Sequence, residues 1–484
     1  MGGCMFACLC CCQPWHYCQQ SGARMLRHEL PYQVDSAPLF AKIAQRPWAI
    51  YLDSGRPGNE YGRYDIMVAD PVMTFTTHAG VTEVRGQEGV QASREDPFFL
   101  LKQALQQYPR LQSDLPFTGG AVGYFGYDLA RHIESLPNLA QDGEHIPEMM
   151  VGIYDWAVIV DHEKQQAWLV CCAIAEERKA GWKSLCALFD GHFTQQASSF
   201  AIETPVRSNF DAASYQHAFE RIQRYIHEGD CYQVNLAQRF SAAASGDAWQ
   251  AYQYLRSIGP APFMAFMNLP GLQVLSDSPE RFLQVTGRHV ETRPIKGTRP
   301  RSSDADEDER QAADLKSSLK DRAENLMIVD LLRNDIGKSC AIGSVRADRL
   351  FVLESYANVH HLVSAVTGKL ADQFEAVDLL RGAFPGGSIT GAPKLRAMEI
   401  IEELEPHRRG IYCGAIGYIG FDGNMDTNIA IRTAVYSHRE IRFWAGGGIV
   451  ADSEADKEYR ETWDKASTML KLVEHFRGDQ DVGN

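Results

Sequence analysis

The chain has 484 residues, of which 45% are hydrophobic and 23% charged, a composition typical of a globular protein with a large core. The length allows one large domain or two to three ordinary ones. The formal net charge of −14 argues against nucleic acid or an anionic membrane as main partner, because neither attracts an acidic surface. It fits an enzyme whose anionic substrate is drawn in by local positive groups or by a metal.

The cysteines are unevenly distributed, with six of the 12 in the first 18 residues. The other six lie in apolar segments, where we expect reduced core residues, as in a cytoplasmic protein. Segment 1–24 lacks the regions of a signal peptide, and Phe6 stands where N-myristoylation needs Ser or Thr. We expect this leader to be disordered or untranslated, with Met25 as the natural start. A cysteine-rich metal module is the alternative, although Cys-x-x-Cys spacing is missing.

Residues 25–206 are predicted to form an N-terminal subdomain rich in strands, with a helix over Phe98–Gln107. The polar stretch Gln195–Asn209 is the best candidate for a boundary. We assign residues 207–477 to a catalytic domain and residues 478–484 to a tail. Strands that alternate in polarity, interspersed with helices, predict an α+β sandwich of sheets covered by helices.

In the second half, the pattern predicts a helix over Tyr215–His227 and then a strand over Tyr232–Phe240. Strand character continues over Gln284–Val290. The acidic stretch Ser302–Asp321 is predicted to be a solvated loop and helix, and Glu324–Asn334 an apolar helix.

Lys296 is the first candidate functional residue, in the pentapeptide Pro294–Thr298. A lysine buried between Ile and Gly would lose solvation, its pKa would fall, and its amine could act as a nucleophile. On this pentapeptide alone, a strand-end lysine that reaches solvent is the simpler interpretation. Glu280 lies 16 residues earlier and could be a general acid if its pKa is raised. An ion pair with Arg281 is the alternative.

The C-terminal segment carries further charged candidates. Glu458, Glu461 and Lys465 share one face of a helix predicted from Asp456 to Phe476. The glycines at 446–448 precede this helix and leave backbone N–H groups open to an anion. Glu324, on its apolar helix, needs a cation or a hydrogen-bond donor, and Arg322 or Arg333 could supply one.

Three other positions could contact a carboxylate or a ring. Ser388 lies in a loop before a helix that begins at Pro393, so it belongs either to a carboxylate site or to an ordinary capping loop. Arg432 ends an alternating strand and suits bidentate binding of a carboxylate. His361, preceded by another histidine, is more typical of a strand end than of a metal ligand.

Five segments together resemble the chorismate-utilising enzymes, the family of anthranilate synthase component I, isochorismate and salicylate synthases, and aminodeoxychorismate synthase component I. These segments are Gly229–Leu236, Pro294–Thr298, Arg322–Asp330, Gly387–Lys394 and Ala445–Val450. The resemblance covers about residues 28–476. It implies an anthranilate synthase component I-like sandwich of two β-sheets covered by helices, with two interwoven subdomains.

The resemblance also implies a role for each matching residue. It makes Lys296 the nucleophile, Glu280 the general acid, and Glu324 and Glu461 the ligands of Mg²⁺. The substrate would be bound by Arg432, Tyr418, Lys465, His361, Thr298, Gln233 and the backbone of Gly446, Gly447 and Gly448.

Two positions discriminate within the family. Anthranilate synthases have alanine where this chain has Lys296, and isochorismate synthases have a water-activating lysine where it has Gln233. An amide has no usable basicity. The combination resembles the aminodeoxychorismate synthase branch, a transaminase-type transferase that converts chorismate and ammonia to 4-amino-4-deoxychorismate for 4-aminobenzoate and folate. An anthranilate synthase and a non-catalytic tryptophan-binding regulatory protein are the alternatives.

The ammonia source is predicted to lie outside the chain. Cys413 precedes a glycine but has strand surroundings and no fitting histidine, so it does not form a glutaminase site. The resemblance therefore implies a heterodimer with a glutamine amidotransferase. Ser54 stands where anthranilate synthases have their tryptophan-inhibition motif, which predicts either a tryptophan pocket or a plain turn.

Overall fold

The computed structural model describes residues 25–478 except 56–61, 112, 173–175, 192, 194–197, 303 and 356–358. The expectations for the leader 1–24 and for nearly all of the tail therefore lie outside the described residues. Among the described residues, no helix is both long and apolar enough to cross a membrane.

The strands of the first half are β1 (Leu26–Leu30), β2 (Ala49–Asp53), β3 (Tyr64–Val68), β4 (Met73–His78), β5 (Val81–Gly86), β6 (Gly89–Ser93), β7 (Gly120–Phe125), β8 (Met149–Tyr154), β9 (Trp156–Asp161), β10 (Gln166–Cys171), β11 (Phe200–Ile202) and β12 (Arg207–Ser208). Those of the second half are β13 (Gln233–Gly246), β14 (Phe263–Leu269), β15 (Leu272–Ser278), β16 (Arg281–Thr286), β17 (His289–Thr292), β18 (Ile295–Pro300), β19 (Arg346–Ser355), β20 (Val359–Lys369), β21 (Gly391–Ala392), β22 (Ala415–Gly420), β23 (Met425–Ile429), β24 (Thr433–Ser437) and β25 (Glu440–Ile449).

The helices are α1 (Ala37–Ala41), α2 (Pro97–Leu105), α3 (Glu176–Asp190), α4 (Ala212–Glu228), α5 (Ala248–Ile258), α6 (Ala305–Ser317), α7 (Leu319–Gly337), α8 (Ala376–Ala383), α9 (Lys394–Leu404) and α10 (Ala455–Arg477). Two 3₁₀ turns span Tyr127–His132 and Gly387–Ile389. Local chemistry sets several of these bounds. In α4, for example, Asp211 and Ser214 form a capping box, and Gly229 ends the helix in the left-handed conformation.

Two large antiparallel sheets contain the strands. The first has the order β1-β10-β9-β3-β2-β14-β15-β24-β25-β13-β11, and β12 and β21 also pair with β13. The second has the order β18-β20-β17-β16-β23-β22-β7-β8-β4-β5-β6, and β19 pairs with β20. Each sheet combines strands from both halves of the chain. This is the predicted α+β sandwich, with the two halves interwoven, and the boundary at 206/207 stays a prediction.

The largest core contains residues of both sheets, such as Ile50 of β2 and Phe125 of β7. A second core packs α1, α5 and α10 against the first sheet, and a third packs α4 and α9 against β13. Buried apolar area of this kind is the dominant stabilising contribution to folding, at roughly 25 cal/mol per Å². Helix α10 is thereby fixed across β25, and helix α7 across β18 and β20.

Two predicted elements differ from the structure. The expected strand over Gln284–Val290 is a hairpin, in which β16 and β17 pair across a turn at Gly287. The glycines at 446–448, expected to leave their backbone N–H groups open, lie within β25, where each pairs in register with β13. Among the described residues, no disulfide joins the cysteines at 171, 172, 186, 231, 340 and 413, so they are reduced, as expected.

Candidate active site

Lys296 lies on β18, which pairs with β20 through a register shift between Lys296 and Thr298. Gly297 occupies the shift with φ of +76°, and a β-carbon there would lie 2.7 Å from Leu315 and 3.0 Å from Asp321. Only glycine suits both this conformation and the close approach of α6 and α7. The shift leaves Lys296 half-buried, with its Nζ 3.5 Å from the carbonyl oxygen of Ser388.

Glu280 lies in the turn between β15 and β16 and is buried. The hydroxyl of Ser388 donates a hydrogen bond of 2.9 Å to Glu280 Oε1. The backbone holds this turn, since the N–H of Ile429 donates to the carbonyl of Glu280. Ser388 therefore links the two residues predicted to be the general acid and the nucleophile.

The pKa values of these two residues move toward each other. Burial raises the pKa of Glu280, and the positive charges of Lys296 and Lys465 only partly oppose it. Burial also lowers the pKa of Lys296, as does the charge of Lys465, against the opposing effect of the carboxylates of Glu280, Glu324 and Glu461. Burial thus moves each pKa in the direction that acid and nucleophilic catalysis need.

A cluster of carboxylate side chains lies against the glycines of strand β25. A β-carbon on Gly447 would lie 3.0 Å from Glu458 Oε2, 3.7 Å from Glu461 Oε1 and 3.8 Å from Lys465 Nζ. Burial raises the pKa of Glu458, and the charge of Glu461 raises it further. Burial also raises the pKa of Glu324 on α7, as does the charge of Glu461. Burial and mutual repulsion therefore disfavour the charged forms of Glu324 and Glu458, and an added cation would oppose both effects.

This cluster of carboxylate side chains suits a hard divalent cation. Its donors are oxygens, which Mg²⁺ prefers, and Mg²⁺ commonly uses one or two protein carboxylates with waters and substrate oxygens. Within the described part of the chain, no three His, Cys, Asp or Glu side chains are close enough to hold a metal by themselves. Lys465 Nζ lies 2.6 Å from Glu461 Oε1. The pKa of Glu461 is lowered, because the effect of this ion pair outweighs that of burial.

Gln233, at the start of β13, packs on the same glycine strand. A β-carbon on Gly448 would lie 2.4 Å from Gln233 Nε2, so the glycine makes room for this amide. Gln233 is 1% exposed, and its Oε1 has no hydrogen-bond partner within the described residues. A buried amide oxygen without a partner costs free energy, and a bound ligand could satisfy it.

Arg432 and His361 lie close to each other. The charge of Arg432, together with burial, lowers the pKa of His361 to about 4, so the imidazole is neutral at pH 7. The hydroxyl of Thr298 lies 2.9 Å from His361 Nδ1. Arg432 has φ of +48°, and across the described residues its guanidinium forms no hydrogen bond or ion pair with protein. Its role in binding an anion stays a prediction.

The structure places Tyr418 elsewhere, which corrects the predicted role. Tyr418 lies on β22 of the second sheet, where its ring packs on Phe117 with centroids 5.3 Å apart. It lines a cavity of about 510 Å³ between the sheets, together with Ser54 and Asp426. The alternation of β22 predicts that Tyr418 faces a sheet interface but not which part of it. Lys296 does not line this cavity.

Two site residues were missed or misjudged from the sequence. The sequence left Ser388 either in a carboxylate site or in an ordinary capping loop, and it did not show that the Ser388 hydroxyl contacts the carboxyl of Glu280. Glu458 was placed on the correct helix face and given no role, although it is 6% exposed and lies against Gly447. Its spacing of three from Glu461 was the available signal.

Comparisons with known proteins agree with this geometry. Residues 48–471 match the family of chorismate binding enzymes. The chain is 50% identical to aminodeoxychorismate synthase component 1 of Escherichia coli over 90% of this chain and 95% of that protein. It is 38% identical to anthranilate synthase component 1 of Aquifex aeolicus over 90% and 91% of the two chains. The chain therefore belongs to the chorismate binding enzymes.

Solved structures support the fold. The crystal structure of anthranilate synthase component I from Streptococcus pneumoniae is 33% identical, with a TM-score of 0.77 over 85% of this chain and 93% of that one. The structure of the menaquinone-specific isochorismate synthase of Escherichia coli is 17% identical, with a TM-score of 0.72 over 93% and 94% of the two chains, and bears on the fold alone.

Proposed function

We propose that the chain is the chorismate-binding subunit of an aminodeoxychorismate synthase, which converts chorismate and ammonia to 4-amino-4-deoxychorismate for 4-aminobenzoate and folate synthesis in the cytoplasm. The observation that carries the proposal is the placement of Lys296 beside Glu280, with an amide rather than a base at Gln233. Four of the relatives that resemble the chain most have this name, with 36% to 50% identity.

The side chains account for the two stages of the reaction. Glu280 protonates the hydroxyl that departs as water from ring carbon four, while the neutral amine of Lys296 attacks ring carbon two. The two ring double bonds shift and preserve the electron count. The lysine nitrogen is then bonded to carbon two as an ammonium group. Ammonia adds at carbon four, the double bonds shift back, and the bond from carbon two to the lysine nitrogen breaks to release the neutral amine. The added nitrogen gives up one proton, which returns to the carboxylate of Glu280. Pyruvate stays attached to the ring.

Substrate binding is assigned to the positive and backbone groups of the site. Arg432, Lys465 and the backbone of β25 at 446–448 would bind the carboxylates, and neutral His361 would line the ring site. Glu324 and Glu461 would hold Mg²⁺, which when bound supplies positive charge that neutralises the ring carboxylate. Glu458 lies beside them and would raise the local affinity for a cation.

Ammonia is proposed to come from a separate glutamine amidotransferase that forms a heterodimer with this chain. Cys413, which precedes a glycine as a glutaminase nucleophile does, is buried, and burial raises the pKa of its thiol to about 12. Such a thiol is not activated for attack. The "component 1" in the names of the relatives also supports a second component.

The cavity between the sheets is proposed to bind an aromatic amino acid such as tryptophan. Leu52, Phe263 and Tyr418 offer apolar surface, and Asp426 offers a carboxylate for an ammonium group. Arg281 forms a bidentate pair with Asp426, with both N···O distances at 3.0 Å. A flat ring and an amino-acid headgroup suit this combination.

Product identification tests the catalytic proposal. Protein starting at Met25 is incubated with chorismate, Mg²⁺ and ammonia, with and without a glutamine amidotransferase, and products are separated by mass. We expect 4-amino-4-deoxychorismate without free pyruvate. Fluorescent anthranilate and released pyruvate would instead establish anthranilate synthase activity and overturn the proposal.

A further inference from the structure

We propose that Ser388 is the positioning residue of the catalytic pair and fixes both the oxygen of Glu280 that carries the acidic proton and the direction of the Lys296 amine. The proposal rests on the function proposed above and deepens it. It differs from the sequence interpretation, in which Ser388 bound a carboxylate of the ligand.

The first step of the argument is the direction of the hydrogen bond to Glu280. The hydroxyl of Ser388 lies 2.9 Å from Glu280 Oε1. It donates to this oxygen, so a proton on the carboxyl resides on Oε2. Glu280 is 8% exposed, and hydroxyl donation reduces the freedom of its carboxyl to rotate. A general acid must hold its proton within hydrogen-bond reach of the departing group, so a fixed oxygen assists proton transfer.

The second step concerns Lys296. Its Nζ donates a long hydrogen bond of 3.5 Å to the backbone carbonyl of Ser388. A neutral amine has two N–H groups and one lone pair, and use of one N–H constrains where the lone pair points. One residue thus contacts the acid through its side chain and the nucleophile through its backbone. Such double contact sets the relative geometry of the two groups.

The third step is that the loop around Ser388 is itself held in place. Lys394 Nζ donates to the carbonyls of Ala383 and Pro385 at 2.8 Å each and pairs with Asp335 at 2.6 Å. On the other side, Arg409 donates to the carbonyl of Ile389 at 3.0 Å. Ser388 is 8% exposed between these anchors, so its position is set before any ligand binds.

The test compares Ser388→Ala with Ser388→Thr, which keeps the hydroxyl. Rates are measured against pH at a fixed concentration of free ammonia, with chorismate varied. We expect Ser388→Ala to lower kcat by roughly 10- to 100-fold, within the range of general acid catalysis, with KM for chorismate changed less than twofold. Ser388→Thr should recover most of the loss.

The pH profile separates positioning from a general structural effect. The hydrogen bond from Ser388 lowers the pKa of Glu280, so its removal raises that pKa. The high-pH limb of kcat, where the acid loses its proton, should therefore move to higher pH in Ser388→Ala. Thr390→Val is the matched control, since the Thr390 hydroxyl donates only to the carbonyls of Gly386 and Gly387. Thr390→Val should lower the thermal midpoint without shifting the high-pH limb of kcat.

Three outcomes would overturn the proposal while the wild-type product stays 4-amino-4-deoxychorismate: an unchanged kcat in Ser388→Ala, a raised KM at constant kcat, or a limb that does not move. The second outcome would restore the carboxylate-binding interpretation. A different wild-type product would instead refute the proposed function, so the two failures are distinguishable.

Discussion

Lys296 illustrates how a residue acquires function from its neighbours. Alone on β18 it could reach solvent, but Lys465 and burial lower its pKa while Glu280 and Glu324 keep opposite charge nearby. A lysine is nucleophilic only as the neutral amine, so a lowered pKa increases the reactive fraction near pH 7. The chemistry therefore depends on four segments that are distant in sequence.

Replacement of this lysine is the sharpest test at the residue scale. We expect Lys296→Ala to lower kcat by at least ~10³-fold, because the amine that attacks the ring is removed. The affinity for chorismate, measured by calorimetry with Mg²⁺ present, should change little. Lys316→Ala is the matched control, since Lys316 is exposed on α6. Ammonia-dependent turnover at the wild-type rate in Lys296→Ala would mean that the lysine only shapes the site.

The sequence singled out Lys296, Glu280 and Glu461 from separate segments, and in the structure the charges of both glutamates act on Lys296. Their catalytic and metal-binding roles stay predictions. The resemblance assigned Tyr418 to the substrate, whereas the structure places it at the cavity between the sheets. Strand periodicity could not have decided this, because it defines a buried face without defining which cavity that face meets. Sequence patterns also missed the bond between Ser388 and Glu280, which joins residues 108 positions apart.

At the scale of elements, the first and third of the three successive glycines in strand β25 have different roles. A β-carbon on Gly446 would meet the backbone oxygen of Leu236 at 2.6 Å, whereas one on Gly448 would meet the side chain of Gln233 at 2.4 Å. The backbone of Leu236 cannot move without breaking the hydrogen bonds that join β13 to β25, whereas the amide side chain of Gln233 can rotate. The first glycine is therefore needed for folding and the third for the site.

Alanine at the two positions should separate these effects. We expect Gly446→Ala to lower the thermal midpoint by several degrees or to prevent folding, and Gly448→Ala to fold normally while KM for chorismate rises roughly tenfold, since a displaced Gln233 narrows the pocket. Gly337→Ala is the control, with no atom within 4 Å of its added β-carbon and a helical position that favours alanine. Equal thermal midpoints for Gly446→Ala and Gly448→Ala would contradict this division.

Helix α7 brings a cation to the carboxylates proposed to hold Mg²⁺. Lys320 Nζ lies 3.9 Å from Glu324 Oε1, one helical turn away, and its charge also lowers the pKa of Glu458 and Glu461. Where the charge of Lys320 already offsets part of the negative charge of these carboxylates, less of that charge is left to attract a metal ion. The charge of Lys320 should therefore oppose metal binding.

We expect Lys320→Met to bind Mn²⁺, a spectroscopic substitute for Mg²⁺, about 1.5-fold to fivefold more tightly, the range for a solvent-exposed charge pair. Electron paramagnetic resonance of free Mn²⁺ measures this affinity without turnover. Lys457→Met is the control, because Lys457 pairs with Glu454 on the exposed side of α10. Weaker Mn²⁺ binding in Lys320→Met would show that Lys320 supports the site rather than competing for it.

The chain is acidic as a whole, yet it gathers several positive side chains beside the carboxylates of the proposed site. The chain carries a net charge of −14, yet Lys296, Lys320, Lys465 and Arg432 lie around the substrate site. A local positive field can concentrate an anionic substrate even on an acidic protein, and salt weakens this attraction. The overall composition predicted an enzyme with such a local site but not its location.

The cavity between the sheets joins the two halves of the sandwich. Leu52 and Tyr64 line it from the first sheet, and Arg281, Tyr418 and Asp426 line it from the second. A ligand there contacts both sheets and is lost when they separate. A ligand that binds only the folded state stabilises it by RT ln(1 + [L]/Kd), about 2.7 kcal/mol at a hundredfold excess over Kd.

L-Tryptophan should therefore raise the thermal midpoint of the whole molecule in one transition, measured by calorimetry with rising ligand concentration. Indole-3-propionate, which lacks the ammonium group, should stabilise less, because it leaves Asp426 without a cationic partner from the ligand. Asp426→Asn should reduce the response to L-tryptophan and leave the response to indole-3-propionate nearly unchanged, since only the former depends on charge at position 426. Equal responses to both ligands in the wild type would show that the cavity binds the ring alone, and no response to either would return Ser54 to the role of a plain turn.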